Sequence, residues 1–138
     1  MAKAERAKSD KGTFFKGAFS TFAVDDVAAA KKFYSETLGL DVSDEMEGLS
    51  IDMPNGPALF IYPKEDHKPA VFTVFNFQVD DIDDAVEDLT SRGIEFLQYE
   101  DPIKTDETGI FRGGKEGKGP AIAWFEDPAG NILSVIQE

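Results

Sequence analysis

An internal repeat limits how this chain can fold more than any other feature. Val24-Asp25-Asp26-Val27 recurs as Val79-Asp80-Asp81-Ile82, with Phe22 matched by Phe77 and Ala30 by Ala85. Gly39 and Gly93 stand at equivalent ends of the two copies, one residue out of step. A chain written twice in this way folds as two copies of one supersecondary module.

Each copy reads as a strand running into a helix. In the first, Asp25 or Asp26 caps the free N–H groups of the helix start, and Val27, Ala30, Tyr34 and Leu38 recur on one helical face until Gly39 ends it. In the second, Ile82, Ala85, Val86 and Leu89 form the apolar stripe. Asp83 and Asp84 suit the positive end of that helix and Arg92 the negative end, with Gly93 as terminator. Strands are expected near 40–44, 48–53 and 57–62, with Pro54-Asn55-Gly56 turning the last two. Strands near 94–99, 120–126 and 131–137 repeat the order, with Asp127-Pro128-Ala129-Gly130-Asn131 as the turn. The pattern is βαβββ twice. It specifies an α+β fold in which two modules, about 13–69 and 70–138, form a curved mixed β-sheet cleft with the helices on the outer face. Residues 1–12 read as a flexible segment, and the glycine-rich stretch 101–119 as a loop, either a lid or simply mobile.

Strand alternation assigns the faces. With Phe22, Val24, Phe77 and Val79 beneath the helices, Phe19, Thr21 and Ala23 point the other way, as do Phe72, Val74, Asn76 and Gln78. On the same parity Ala58, Phe60 and Tyr62 share that inner surface with Ile132, Ser134 and Ile136. The surface is apolar with sparse polar groups, which suits a small-molecule pocket or a sheet packed on another chain.

Composition removes whole classes of chemistry. The chain has 138 residues and no cysteine, so disulfides, thiolate metal sites and cysteine nucleophiles are excluded. Its single histidine, His67, excludes a two-histidine metal site within one chain. With 27 acidic against 14 basic side chains the formal charge is −13, which disfavours nucleic acid and anionic membrane as partners. No apolar run is long enough to span a bilayer and residues 1–12 lack the apolar stretch of a signal peptide, so the expected location is cytoplasmic.

VDDVAAAKKFYSETLGL at 24–40 and FEDPAGNILSVIQ at 125–137 give the chain a family likeness. It resembles the vicinal oxygen chelate superfamily, which includes glyoxalases, extradiol dioxygenases, epimerases and bleomycin-resistance proteins. The resemblance covers roughly residues 14–138 and implies paired modules, a cleft between them and a homodimer. In metal-dependent members it implies four strand positions as ligands. These fall here on Phe19, Val74, Ser134 and Phe60, the last becoming Ile61 if the register slips by one. Three of the four have no lone pair to offer, and a lone serine hydroxyl is a poor ligand for a transition metal. The expectation is a site with no metal and no cofactor.

Other candidates have plain readings. Arg112 to Gly119 lacks phosphate-loop spacing, and the acidic run Asp80, Asp81, Asp83, Asp84, Glu87 and Asp88 lacks calcium-loop spacing. His67 lies in a charged loop, KEDHKP. Thr21, Asn76, Gln78 and Ser134 either bind a ligand or satisfy one another, and Trp124 either stacks on a ligand or belongs to the core. The leading reading is a homodimeric, metal-free protein of the glyoxalase/bleomycin-resistance type that sequesters an amphipathic or cationic aromatic compound. Its ligand-binding residues are expected to be Phe19, Thr21, Phe60, Tyr62, Phe72, Val74, Asn76, Trp124 and Ser134, with no catalytic residue. Two alternatives stand beside it. One is a glyoxalase-like lyase or isomerase with an atypical site, drawing on strand-end carboxylates such as Asp52 and Glu126 if these are buried; the other is an accessory or regulatory subunit.

Overall fold

The structure, a computed structural model, describes residues 14–113 and 119–138. In chain order β1 (Ser20–Val24) leads into α1 (Val27–Lys32), which continues as a π-helical turn (Phe33–Thr37). β2 (Asp41–Glu45), β3 (Gly48–Asp52) and β4 (Leu59–Pro63) complete the first module. β5 (Thr73–Gln78), α2 (Ile82–Ser91), β6 (Ile110–Phe111), β7 (Ala121–Glu126) and β8 (Ile132–Gln137) form the second. Each module is one four-stranded mixed sheet, ordered β1-β4-β3-β2 and β5-β8-β7-β6. The first strand of each sheet is parallel to its neighbour and the remaining pairs are antiparallel. The two βαβββ modules read from the repeat are therefore the fold.

Local chemistry explains the shared plan. Of each aspartate pair the second is the cap: Asp26 accepts from the Ala29 amide and Asp81 from the Asp84 amide, both at 3.0 Å. Gly39 and Gly93 end the helices with φ of 73° and 98°, a left-handed conformation that a side chain resists. The one-residue offset between them has a physical cause. Leu38 N donates to Phe33 O, a five-residue step at 2.9 Å, and this wider turn absorbs the extra residue of the first helix.

Two expectations are corrected. Residues 94–99 do not form a strand; their only backbone bond to β7 is Leu97 N to Trp124 O at 2.8 Å. The run is drawn off at both ends, because Ile94 N caps the helix on Leu89 O and Tyr99 N turns to the Thr105 hydroxyl. The place beside β7 is taken instead by β6, pairing Ile110 with Ala123 and Phe111 with Ile122. This falls inside the stretch expected to be a loop. Residues 101–113 are built around buried Thr105 and Ile110 and around Asp106, whose carboxylate accepts from Thr108 N, Thr108 Oγ1, Ile110 N and Arg112 Nε. The expected flexible residues 1–12 and positions 114–118 lie outside the described residues.

One apolar core spans both modules. Phe22, Val24, Leu49, Ile51, Leu59 and Ile61 cover one sheet face with Ala30 and Tyr34 of the first helix. Ile110, Ala123, Phe125, Leu133 and Val135 do the same in the second sheet with Ile82 and Val86 of α2. Phe77 and Val79 are half-buried against this cluster, on the side that parity gives them. The modules meet where the first helix abuts the β7–β8 turn. There the Tyr34 hydroxyl donates to Asp127 at 2.7 Å, Asn131 Nδ2 donates to Ala23 O at 2.9 Å, and Phe33 lies 6.4 Å from Phe125 between ring centroids. Among the described residues no helix is long and apolar enough to cross a membrane.

Candidate functional site

The sheet faces turned away from the core carry the candidate residues in two groups. On the first sheet Thr21 pairs with Phe60, and Phe60 in turn pairs with Ser50, while Ala23 pairs with Tyr62. Thr21 and Tyr62 are exposed and Phe60 is half-buried. On the second sheet Asn76 pairs with Ser134 and Ser134 with Trp124. Ser134 is fully buried and its hydroxyl donates to Asn76 Oδ1, so the polar pair satisfies itself and leaves the exposed Asn76 amide nitrogen facing outward. Among the described residues no hydrogen bond or aromatic pair joins the two groups.

The remaining candidates sit elsewhere. Phe19 and Phe72 precede β1 and β5 in coil and are 67% and 66% exposed. Val74 lies at a register shift in β5 between Thr73 and Phe75, and it packs half-buried against the core cluster. That bulge corrects the simple alternation, because an extra residue reverses the facing of everything before it. Thr73, not Val74, joins the face turned away from the helix: Trp124 Nε1 donates to its hydroxyl at 3.0 Å.

Trp124 is the centre of an aromatic group that sequence reasoning missed. Tyr99 meets it edge-on with centroids 5.2 Å apart, and Phe111 lies at 6.3 Å with an interplanar angle of 36°. Tyr99 stood at the end of a run expected to be a strand, and Phe111 inside a stretch expected to be a loop. The one signal that pointed to Phe111 was the pair Ile110-Phe111, an apolar doublet in an otherwise polar segment. Burial and then the charge of Glu126 push the Tyr99 hydroxyl above its ordinary pKa, so it stays a neutral donor at physiological pH. Glu126 and Asp52 are both exposed, so the burial that the carboxylate alternative required is not met.

Behind this face the second module is clamped by charge. Arg112 forks onto Asp83 at the start of α2, at 2.7 and 3.1 Å, and reaches Asp106 at 3.3 Å. The guanidinium holds Asp83 below the usual carboxylate range. Burial raises Asp106, but amide and hydroxyl donors together with Arg112 outweigh it and lower the group overall.

A metal ion does not suit these residues. Ser134 is engaged with Asn76, Val74 lies against the core, and Phe19 and Phe60 are hydrocarbon. Among the described residues no group of three or more histidine or carboxylate side chains is placed to hold one. His67 sits in the loop after β4, its amide donating to Lys64 O at 3.1 Å and its Nε2 buried without a partner among the described residues.

The sequence profile of the Glyoxalase/Bleomycin resistance protein/Dioxygenase superfamily matches residues 18–135, nearly the whole of both modules. The chain belongs to this superfamily. Solved structures share its architecture. A putative glyoxalase family protein from Bacillus anthracis is 19% identical with a TM-score of 0.64, covering 91% of this chain and 98% of its own. TnmS3, an antibiotic binding protein from Streptomyces sp. CB03234, is 22% identical with a TM-score of 0.60, over 91% of this chain and 98% of its own. A superfamily member from Sphaerobacter thermophilus DSM 20745 is 21% identical with a TM-score of 0.62, over 88% and 98%. At such identities the likeness speaks for the fold, and function has to be argued from the site. No protein of curated function matches the chain.

Proposed function

We propose that this superfamily member is a metal-free small-molecule-binding protein that holds an amphipathic or cationic aromatic compound against the sheet faces turned away from the helices. The observation that carries the reading is the Trp124, Tyr99 and Phe111 group, set beside the Ser134–Asn76 pair, of which Ser134 stands at a position that the resemblance assigns to a metal ligand. Aromatic faces attract flat cations, and a formal charge of −13 steers them inward. The likeness in fold to an antibiotic binding protein agrees with such a role. The exposed positions of Asp52 and Glu126 speak against the alternative of carboxylate-driven lyase or isomerase chemistry.

The working form in this reading is a homodimer. Phe14, Phe15, Phe19, Val71 and Phe72 are exposed large apolar side chains at the approaches to β1 and β5, and a second copy would remove them from water.

A thermal-shift and fluorescence titration tests the proposal, with ethidium as cationic aromatic probe and a naphthalene sulfonate as anionic control. Ethidium is expected to quench Trp124, the only tryptophan, and to stabilise the fold by about 2.7 kcal/mol at a hundredfold excess over its dissociation constant. No quenching at millimolar probe, or a stoichiometric transition metal in the purified protein, would overturn it.

A further inference from the structure

The repeat makes a strict demand that the structure meets on one side only. Tyr34 of the first helix corresponds to Leu89 of α2, and the turn Asp127-Pro128-Ala129-Gly130-Asn131 corresponds to Met53-Pro54-Asn55-Gly56-Pro57. At the first junction Tyr34, Asp127 and Asn131 close the space with hydrogen bonds. At the second, each of these groups is replaced by one that cannot bond: leucine, methionine and a proline without an N–H. A crevice of about 900 Å³ remains there, between α2 and β5 on one wall and Leu38, Leu40 and the 53–57 turn on the other. That volume is in the range of ligand sites.

The crevice is floored by Phe75, Phe77, Leu89 and Val135 on the helix side of the sheet, so it is separate from the opposite face, which carries Trp124. One wall is the edge of β5 that no strand covers among the described residues. Val79 N donates to Ile136 O, so Phe77 and Val79 turn their backbone groups to β8, while Asn76 and Gln78 turn theirs away into the crevice. β1 follows the same rule, since Val24 O accepts from Lys64 N on β4 whereas Ala23 O, on the free edge, is the atom that Asn131 fills. The equivalent acceptor on β5 is Gln78 O; Gln78 and Pro57 both line the crevice, and Pro57, at the repeat position of Asn131, has no donor to offer. At the rim, Arg92 is engaged by Asp88 and Thr37 O, while Asp80 is in no ion pair among the described residues.

The geometry points to this crevice as a second binding site, which takes a short extended basic peptide by strand addition to β5. Backbone amides of such a peptide match the alternating donors and acceptors of Asn76 and Gln78, an apolar side chain fills the space over Leu89, and a cationic group meets Asp80. The inference does not depend on what the Trp124 face binds.

The test uses the full chain and a capped Lys-Val-Lys-Val peptide, followed by amide chemical shifts. Saturable shifts are expected at Asn76, Gln78 and Asp80 with Trp124 unmoved. Methylating alternate peptide nitrogens should weaken binding about tenfold, because each lost backbone hydrogen bond is worth roughly 0.5–1.5 kcal/mol. The double variant Leu89→Tyr with Met53→Asp rebuilds the sealed junction in the second position and should abolish peptide binding while ethidium quenching of Trp124 stays as in the parent chain. Should that pair fail to fold, the surface change Asp80→Lys should weaken the peptide about fivefold, the size expected of an exposed charge contact. No saturable shift up to about 5 mM peptide, a range that covers even millimolar affinity, would overturn the site. So would equal binding of the methylated peptide, or shifts centred on Trp124.

Discussion

The Tyr34 hydroxyl and the Asp127 carboxylate meet at 2.7 Å, and through them the first helix is tied to the last turn of the other module. Asp127 also accepts from Ala129 N, Asn131 N and Asn131 Nδ2, so its charge is fully solvated by the protein. Tyr34→Phe removes one charge-assisted hydrogen bond and leaves the packing with Phe33 and Phe22 in place. A loss of about 1.5–3 kcal/mol is expected, the usual worth of a hydrogen bond to a charged group. Urea unfolding at neutral pH should show a lower midpoint with an unchanged slope.

The same pair sets an alkaline limit on stability. Burial, then the neighbouring Asp127 charge, push the Tyr34 hydroxyl far above its ordinary pKa. A group raised in the folded state contributes stability that is complete below the unfolded value of about 10 and declines as pH rises beyond it. Between about pH 10 and 12 the protein should therefore lose stability with a steeper slope than Tyr34→Phe, which has no proton to give up. Parallel slopes for the two proteins would mean that Tyr34 ionises as readily folded as unfolded.

How far the sequence carried can be judged from these same residues. The helix starts at the two aspartate pairs, the terminating glycines and the buried face of β1 follow from local chemistry and alternation, although which aspartate of a pair is the cap, Asp26 and Asp81, was settled only by the backbone geometry. The bulge at Val74 and the displacement of residues 94–99 by β6 do not, because both are decided by competition among distant partners such as Trp124, Thr73 and Thr105. Of the candidate site, the shared face of Asn76 and Ser134 was legible because it obeys strand parity, whereas Trp124 stayed open between a ligand and the core. Tyr99 and Phe111 were not, because they reach Trp124 from a segment whose course depends on the carboxylate of Asp106.

That dependence gives a third expectation. Arg112 bridges Asp83 and Asp106, while Phe111 beside it turns to Trp124. Arg112→Gln should leave the sheet intact but loosen β6, read as faster hydrogen exchange at Thr108 and Ile110 and as a red shift of Trp124 emission. Asp83 and Asp106 are both lowered, so the clamp is present above the unfolded carboxylate value and is lost as pH falls through the folded one. The parent protein should accordingly resemble the variant at neutral pH only once the pH falls well below the ordinary carboxylate value of about 4. Because the pairs are exposed, salt should weaken the clamp as well.

Gly48 opens β3 close against Phe60 and Ile61 of β4. A Cβ there would lie 2.2 Å from Ile61 O and 3.1 Å from the ring of Phe60. Backbone cannot move aside as a side chain does, so Gly48→Ala must part β3 from β4 locally. A cost of about 1–3 kcal/mol is expected, as for overpacking in a close-packed interior. Gly56, which has open space at the same point, is the control, and Gly56→Ala should differ little from the parent protein in the same denaturation assay.

Asn131 makes the most demanding contact at the sealed junction. It is 2% exposed, and its Nδ2 donates both to Ala23 O at 2.9 Å and to Asp127 at 3.0 Å. Asn131→Asp keeps the shape and removes both donors, placing a second carboxylate against Asp127 and against a carbonyl oxygen. Two buried carboxylates without a proton between them repel, so the variant should lose about 3–5 kcal/mol at neutral pH. The new group is raised in the folded state by burial and by its neighbour, so its protonated form is the stable one. Stability relative to the parent should recover as pH falls toward the ordinary carboxylate range of about 4 and worsen as it rises above that. A deficit that stays constant from acid to neutral pH would show that the loss comes from the missing Ala23 bond alone and that Asp127 does not feel the added charge.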